Sequence, residues 1–72
     1  MSAQAAFSME VPRPSVPVGQ FKRFGPFGPK YEVGEPIKLL NNGDWAVNVT
    51  LVETGEVVEY SLAELLDDPK AD

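Results

Sequence analysis

The sequence predicts a small α+β domain: an antiparallel β-meander of three or four strands, curled in one variant toward an SH3-like half barrel, with one short C-terminal helix. Three observations carry this. Apolar residues alternate from Trp45 to Leu51, a glycine-bearing segment separates that run from a second at Val57 to Tyr60, and the period lengthens to a helical one after Ser61.

Trp45, Val47, Val49 and Leu51 fall on one side of the first run, while Ala46, Asn48, Thr50 and Val52 fall on the other, the two-residue period of a half-buried strand. Register with the second run is set by the segment Glu53-Thr54-Gly55-Glu56. Pairing Val52 with Val57, Leu51 with Val58 and Val49 with Tyr60 leaves a four-residue loop, Glu53 to Glu56, and one continuous apolar face. A three-residue loop with Gly55 in the left-handed region sets Val49 against Glu59 instead. Burying a carboxylate there costs several kcal/mol against roughly 1–3 for a strained loop, so the first register is expected.

Upstream, Tyr31-Glu32-Val33 alternates as a short strand, with Gly34 and the donor-less Pro36 marking an edge position. Asn41-Asn42-Gly43-Asp44 is the strongest turn signal and leads directly into Trp45. Downstream, Ser61 and Glu64 form a capping box, Leu62, Leu65 and Leu66 share a helix face, and Pro69 ends the helix. The expected core is Tyr31, Val33, Leu40, Trp45, Val47, Val49, Leu51, Val58, Tyr60, Leu62, Leu65 and Leu66. Asp67 and Asp68 lie where negative charge opposes the helix dipole, and the plain reading is two solvated acids in a fraying turn.

Residues 1–23 read as a flexible Pro-rich tail and 24–72 as the folded domain. Pro12, Pro14 and Pro17 exclude a helix from Val11 to Val18, and Ser2 to Met9 allows at best one frayed turn. Pro14-Ser15-Val16-Pro17 beside Arg13 matches a PxxP ligand, though with so short a pattern a flexible tail is the expected reading. Phe21, Phe24 and Phe27, set in the repeat Phe24-Gly25-Pro26-Phe27-Gly28-Pro29, are expected to fold back over the sheet; otherwise they are handles for a partner.

The chain has 72 residues and a net charge of −5, divided unevenly. Residues 1–43 hold five basic side chains against three acidic ones, whereas residues 44–72 hold eight acidic against Lys70 alone. An acidic domain repels phosphate backbones, which argues against direct nucleic-acid binding. There is no cysteine and no histidine, which removes disulfides, thiolate and imidazole ligands, a cysteine nucleophile and the commonest general base. No apolar run approaches the roughly eighteen residues of a membrane span, and the N-terminal residues lack a basic, apolar leader pattern, so a soluble cytoplasmic protein without cofactor or metal is expected.

Gly28-Pro29-Lys30-Tyr31-Glu32-Val33, Gly43-Asp44-Trp45, Glu53-Thr54-Gly55-Glu56 and Leu66-Asp67-Asp68-Pro69, in that order, resemble a family of short bacterial proteins of unknown function. The resemblance spans about residues 24–70 and implies a small soluble bacterial protein; it brings no catalytic residues. The chemistry of the chain then points to a non-catalytic interaction or regulatory module that binds a protein partner, or a second copy through a sheet edge, with Phe21, Phe24, Phe27, Glu53, Glu56, Glu59, Asp67 and Asp68 as the contact candidates. The alternatives are an acidic decoy that imitates nucleic-acid phosphates, as in inhibitors and anti-defence proteins, and a weak metal or enzymatic site built on Glu64 and Asp67.

Overall fold

The computed structural model describes residues 13–71. Four strands form one antiparallel sheet in chain order: β1 (Phe21–Arg23), β2 (Lys30–Leu39), β3 (Trp45–Leu51) and β4 (Val57–Ser61), followed directly by helix α1 (Leu62–Asp67). The meander and its terminal helix are those the periodicity predicts. The sheet stays open, with β1 and β4 at its two ends.

The β3–β4 register differs from the expected one by two residues. Val49 faces Val58 and Val47 faces Tyr60, because the loop that closes the hairpin is Val52 to Gly55 rather than Glu53 to Glu56. Gly55 adopts φ 76°, and its N–H bonds to the Leu51 carbonyl at 2.7 Å while Leu51 N–H donates to Glu56 O at 2.8 Å. Glycine reaches that conformation without a Cβ clash, so the turn uses it and leaves Thr54 at negative φ. An even shift keeps every side chain on its face, and Val49 and Tyr60 remain on the same side of the sheet.

That side is the core. Tyr31 and Val33 of β2, Val47 and Val49 of β3, and Leu62 and Leu65 of α1 are buried together, with Phe24, Trp45, Leu51, Val58 and Tyr60 packed around them. Leu66, expected inside, is 57% exposed: a helix this short sets Leu62 and Leu65 against the sheet, and the next position turns about 100° further round, into solvent. Leu40 is only half-buried at the end of β2. Ala46, assigned to the wetter face, is buried.

The boundary expected between residues 23 and 24 does not fall there. β1 pairs with β2 (Lys22 opposite Tyr31), Gly19 N–H and Gln20 C=O both bond to the Val33 backbone, and Val16 packs on the core. Arg13 donates to Pro36 O at 2.7 Å, so the Pro14-Ser15-Val16-Pro17 segment lies along β2 as part of the domain. A core of this size gains from each apolar group it can cover. The expected frayed turn at Ser2 to Met9 lies outside the described residues.

The β1–β2 loop is the Phe-Gly-Pro repeat, closed by a Phe24 N–H to Pro29 O bond of 3.1 Å. Gly28 comes so close to the preceding turn that a Cβ there would lie 1.9 Å from the Phe24 carbonyl oxygen. Gly28→Ala therefore must displace backbone, and a loss of about 1–3 kcal/mol in urea unfolding is expected; unchanged stability would show that the loop yields freely.

Candidate functional site

Three polar assemblies sit on this framework, one inside, one at the start of α1 and one on the rim. The inner one begins with Lys22, whose side chain is 6% exposed on the core face of β1. Its Nζ donates to the carbonyls of Leu65 at 2.5 Å and Asp68 at 3.0 Å, at the C-terminal end of α1. A buried ammonium is tolerated there because charge-assisted bonds and the negative end of the helix dipole replace its hydration.

Asp68, the residue at which the helix ends, turns its carboxylate inward. Oδ2 accepts from the phenols of Tyr31 at 2.7 Å and Tyr60 at 2.9 Å, and Oδ1 accepts from Gly25 N–H at 3.1 Å. Phe24 closes the assembly with its ring 4.3 Å from Tyr31 and 4.9 Å from Tyr60, the latter edge-on. Burial, followed by the Asp68 hydrogen bond and charge, pushes both phenols well above the ordinary phenol range.

At the other end of α1, Asp44 reaches from the β2–β3 turn. Its Oδ2 accepts from Ser61 Oγ at 2.5 Å, and its Oδ1 accepts from the backbone N–H of Trp45 at 2.8 Å and Ala63 at 3.1 Å. The Ser61 bond foremost, then the Trp45 and Ala63 N–H groups, hold this carboxyl below the usual carboxylate range. Ser61 itself accepts from Glu64 N–H at 3.3 Å, as the capping box predicts.

The rim assembly lies along β4. In its ladder with β3, the backbone groups of Val58 and Tyr60 point toward β3 and those of Val57 and Glu59 point away. Among the described residues no backbone hydrogen bond reaches those outward groups. The other end of the sheet is covered: Arg23 N–H bonds to Pro69 O and Ala71 N–H to Phe21 O, so residues 69–71 run along β1. Beside the open edge is a groove of about 300 Å³ lined by Leu40, Ala46, Glu59, Tyr60, Ser61 and Glu64.

The contact candidates separate accordingly. Glu53 and Glu56 are exposed at the β3–β4 turn and Glu59 continues on the open edge, 3.9 Å from Lys38 Nζ. Phe27 is 97% exposed at the loop tip, while Phe21 sits on β1 with Lys30 Nζ 5.4 Å from its ring centroid. Phe24 folds inward, as expected of the aromatics, and Phe27 does not. Asp67 is exposed at the far end of α1, and Asp68 faces the interior instead of the solvent. Lys22 and Asp44 have no local sequence signal, since each acts on a helix end far along the chain. Glu64 was legible as a capping residue and, with Asp67, as a weak metal or enzymatic candidate, but not as part of this groove.

The fold and rim define a small antiparallel sheet domain in which, among the described residues, the β4 edge carries no backbone partner and exposed carboxylates lie beside it. The chain belongs to a bacterial family: a model described as a family of unknown function (DUF5397) matches residues 9–72, extending well before residue 24, where the motif resemblance begins. The chain is also similar to an uncharacterized protein of Haemophilus influenzae (strain ATCC 51907 / DSM 11121 / KW20 / Rd), 47% identical over 60 residues that cover 83% of this chain and 95% of that protein.

Two expected outcomes follow from the inner assembly. Lys22→Met keeps the stem but removes both charge-assisted bonds, and should cost about 2–4 kcal/mol by urea unfolding; a loss below about 0.5 kcal/mol would mean the ammonium is dispensable. Because the unfolded chain gives up phenolic protons near pH 10.0 that the folded chain keeps, stability should be intact below that pH and fall as pH rises above it. Tyrosinate absorbance should then appear together with unfolding, and a two-tyrosine titration near pH 10.0 in the intact fold would contradict the burial of Tyr31 and Tyr60.

Proposed function

We propose that this protein is a non-catalytic interaction module that takes up an extended segment of a protein partner along β4. The observation that carries this reading is the asymmetry of the sheet: β1 is covered by residues 69–71, whereas the outward N–H and C=O groups of Val57 and Glu59 have no partner among the described residues. Unpaired strand edges are the usual sites of strand addition, with main-chain bonds supplying affinity and neighbouring pockets selecting side chains. A soluble cytoplasmic setting belongs to the same proposal.

The decoy reading draws less support. Imitation of a phosphate backbone needs carboxylates free to face a basic groove, and that of Asp68 already accepts three internal hydrogen bonds. The candidates that remain are Glu53, Glu56, Glu59 and the exposed Asp67, and the three glutamates lie along one hairpin beside the open edge, where they serve strand recognition equally well.

Val57→Pro tests the proposal. It removes an outward donor and no bond to β3, and the first residue of a strand tolerates proline. Stability should fall by less than about 1 kcal/mol, while a partner retained by the wild-type chain in affinity capture and size exclusion should be lost. Undiminished retention, or free monomer for the wild type as well, would remove the edge from consideration.

A further inference from the structure

We infer that the segment received by β4 is basic: a strand from a partner protein whose Lys or Arg side chain enters the groove between Glu59 and Glu64. This rests on the edge reading above and adds the chemistry of the occupant. Glu59 and Glu64 are both exposed and line the same groove, with apolar surface from Leu40 and Ala46 beside them. A long basic side chain matches both features, since its methylenes cover the apolar part and its charge meets the carboxylates. Glu59 belongs to the open edge itself, so a strand paired with its backbone delivers side chains directly to this groove.

The neighbouring charges support the same assignment. Lys38 already stands 3.9 Å from Glu59, an exposed contact in which the chain's own cation sits where an incoming one would be drawn. Tyr60 hydroxyl lies 3.4 Å from Glu64 Oε1, a long bond that leaves most of that carboxylate's accepting capacity open. Self-pairing fits poorly, because two antiparallel copies of β4 paired through the outward backbone groups would bring the Glu59 carboxylates of both chains alongside one another on one face.

The test is a titration of the full ¹⁵N-labelled chain with two blocked heptapeptides, Thr-Val-Arg-Val-Arg-Val-Thr and the same sequence with Gln for Arg. The arginine peptide should shift the Val57, Glu59 and Glu64 amides and bind roughly tenfold more tightly, as two partly screened ion pairs allow. The exposed double substitution Glu59→Gln/Glu64→Gln should erase that difference, and Lys38→Gln, which removes the internal competitor, should strengthen binding about twofold. Equal binding of both peptides at Val57 and Glu59 overturns the basic assignment while leaving the edge reading standing. Absence of shifts at Val57 and Glu59 with either peptide overturns both. Concentration-dependent shifts of those amides in the chain alone assign the edge to a second copy and likewise overturn the basic partner.

Discussion

Helix α1 is held between two charges of opposite sign that come from elsewhere in the chain. The Asp44 carboxylate accepts from the Ala63 N–H at the helix start, and the Lys22 ammonium donates to the Leu65 and Asp68 carbonyls at its end. Six residues are far too few to form a helix alone, because nucleation fixes several dihedrals for each bond gained. With Leu62 and Leu65 buried and the macrodipole complemented at both ends, the segment is locked to the sheet. Lys22 comes from β1 and Asp44 from the turn before β3, so seating the helix also ties down strands it does not adjoin in sequence.

This arrangement resolves an apparent conflict at the helix terminus. Two acids at a C-terminal end oppose the dipole, but Asp68 turns its carboxylate toward Tyr31, Tyr60 and Gly25 N–H, and Lys22 supplies the positive charge the helix end favours. A chain without cysteine has no disulfide to close so small a core. Here a buried lysine, a carboxylate and three aromatic rings connect β1, β2, β4, the helix end and the Phe-Gly-Pro loop at one point. Each bond contributes modestly, yet breaking one leaves a buried polar group unmatched, which makes the cluster costly to disrupt. The same economy explains the asymmetric edges: the residues after α1 are drawn back over β1 through Pro69 and Ala71, and β4 has no backbone partner on its outer side among the described residues.

Much of the fold is legible in local pattern. Alternation in β3, the Asn41-Asn42-Gly43-Asp44 turn and the Ser61 and Glu64 capping box each concern residues a few positions apart, and each appears where the spacing places it. The hairpin register was the instructive exception. The two registers considered each held one correct element, a four-residue loop in one and a left-handed Gly55 in the other, and the structure combines them by moving the loop one residue earlier. The candidate site was legible in Glu59 and its neighbours Glu53 and Glu56, but not in Glu64, Leu40 or Ala46, which meet only across the sheet.

By itself the sequence determined the order of the last three strands, the helix position, most side-chain faces of β3 and β4 and an acidic C-terminal half, because these follow from short-range period, turn chemistry and composition, whereas β1 lies in the stretch read as a tail. Only the tertiary structure decided that Lys22 is buried, that Phe24 turns inward while Phe27 does not, that Asp68 faces the core, and which edge of the sheet stays open. The physical reason is range. A period or a turn is read over a few residues, whereas the partner of an ammonium, a phenol or an edge carbonyl lies dozens of positions away and is known only once the chain has closed on itself.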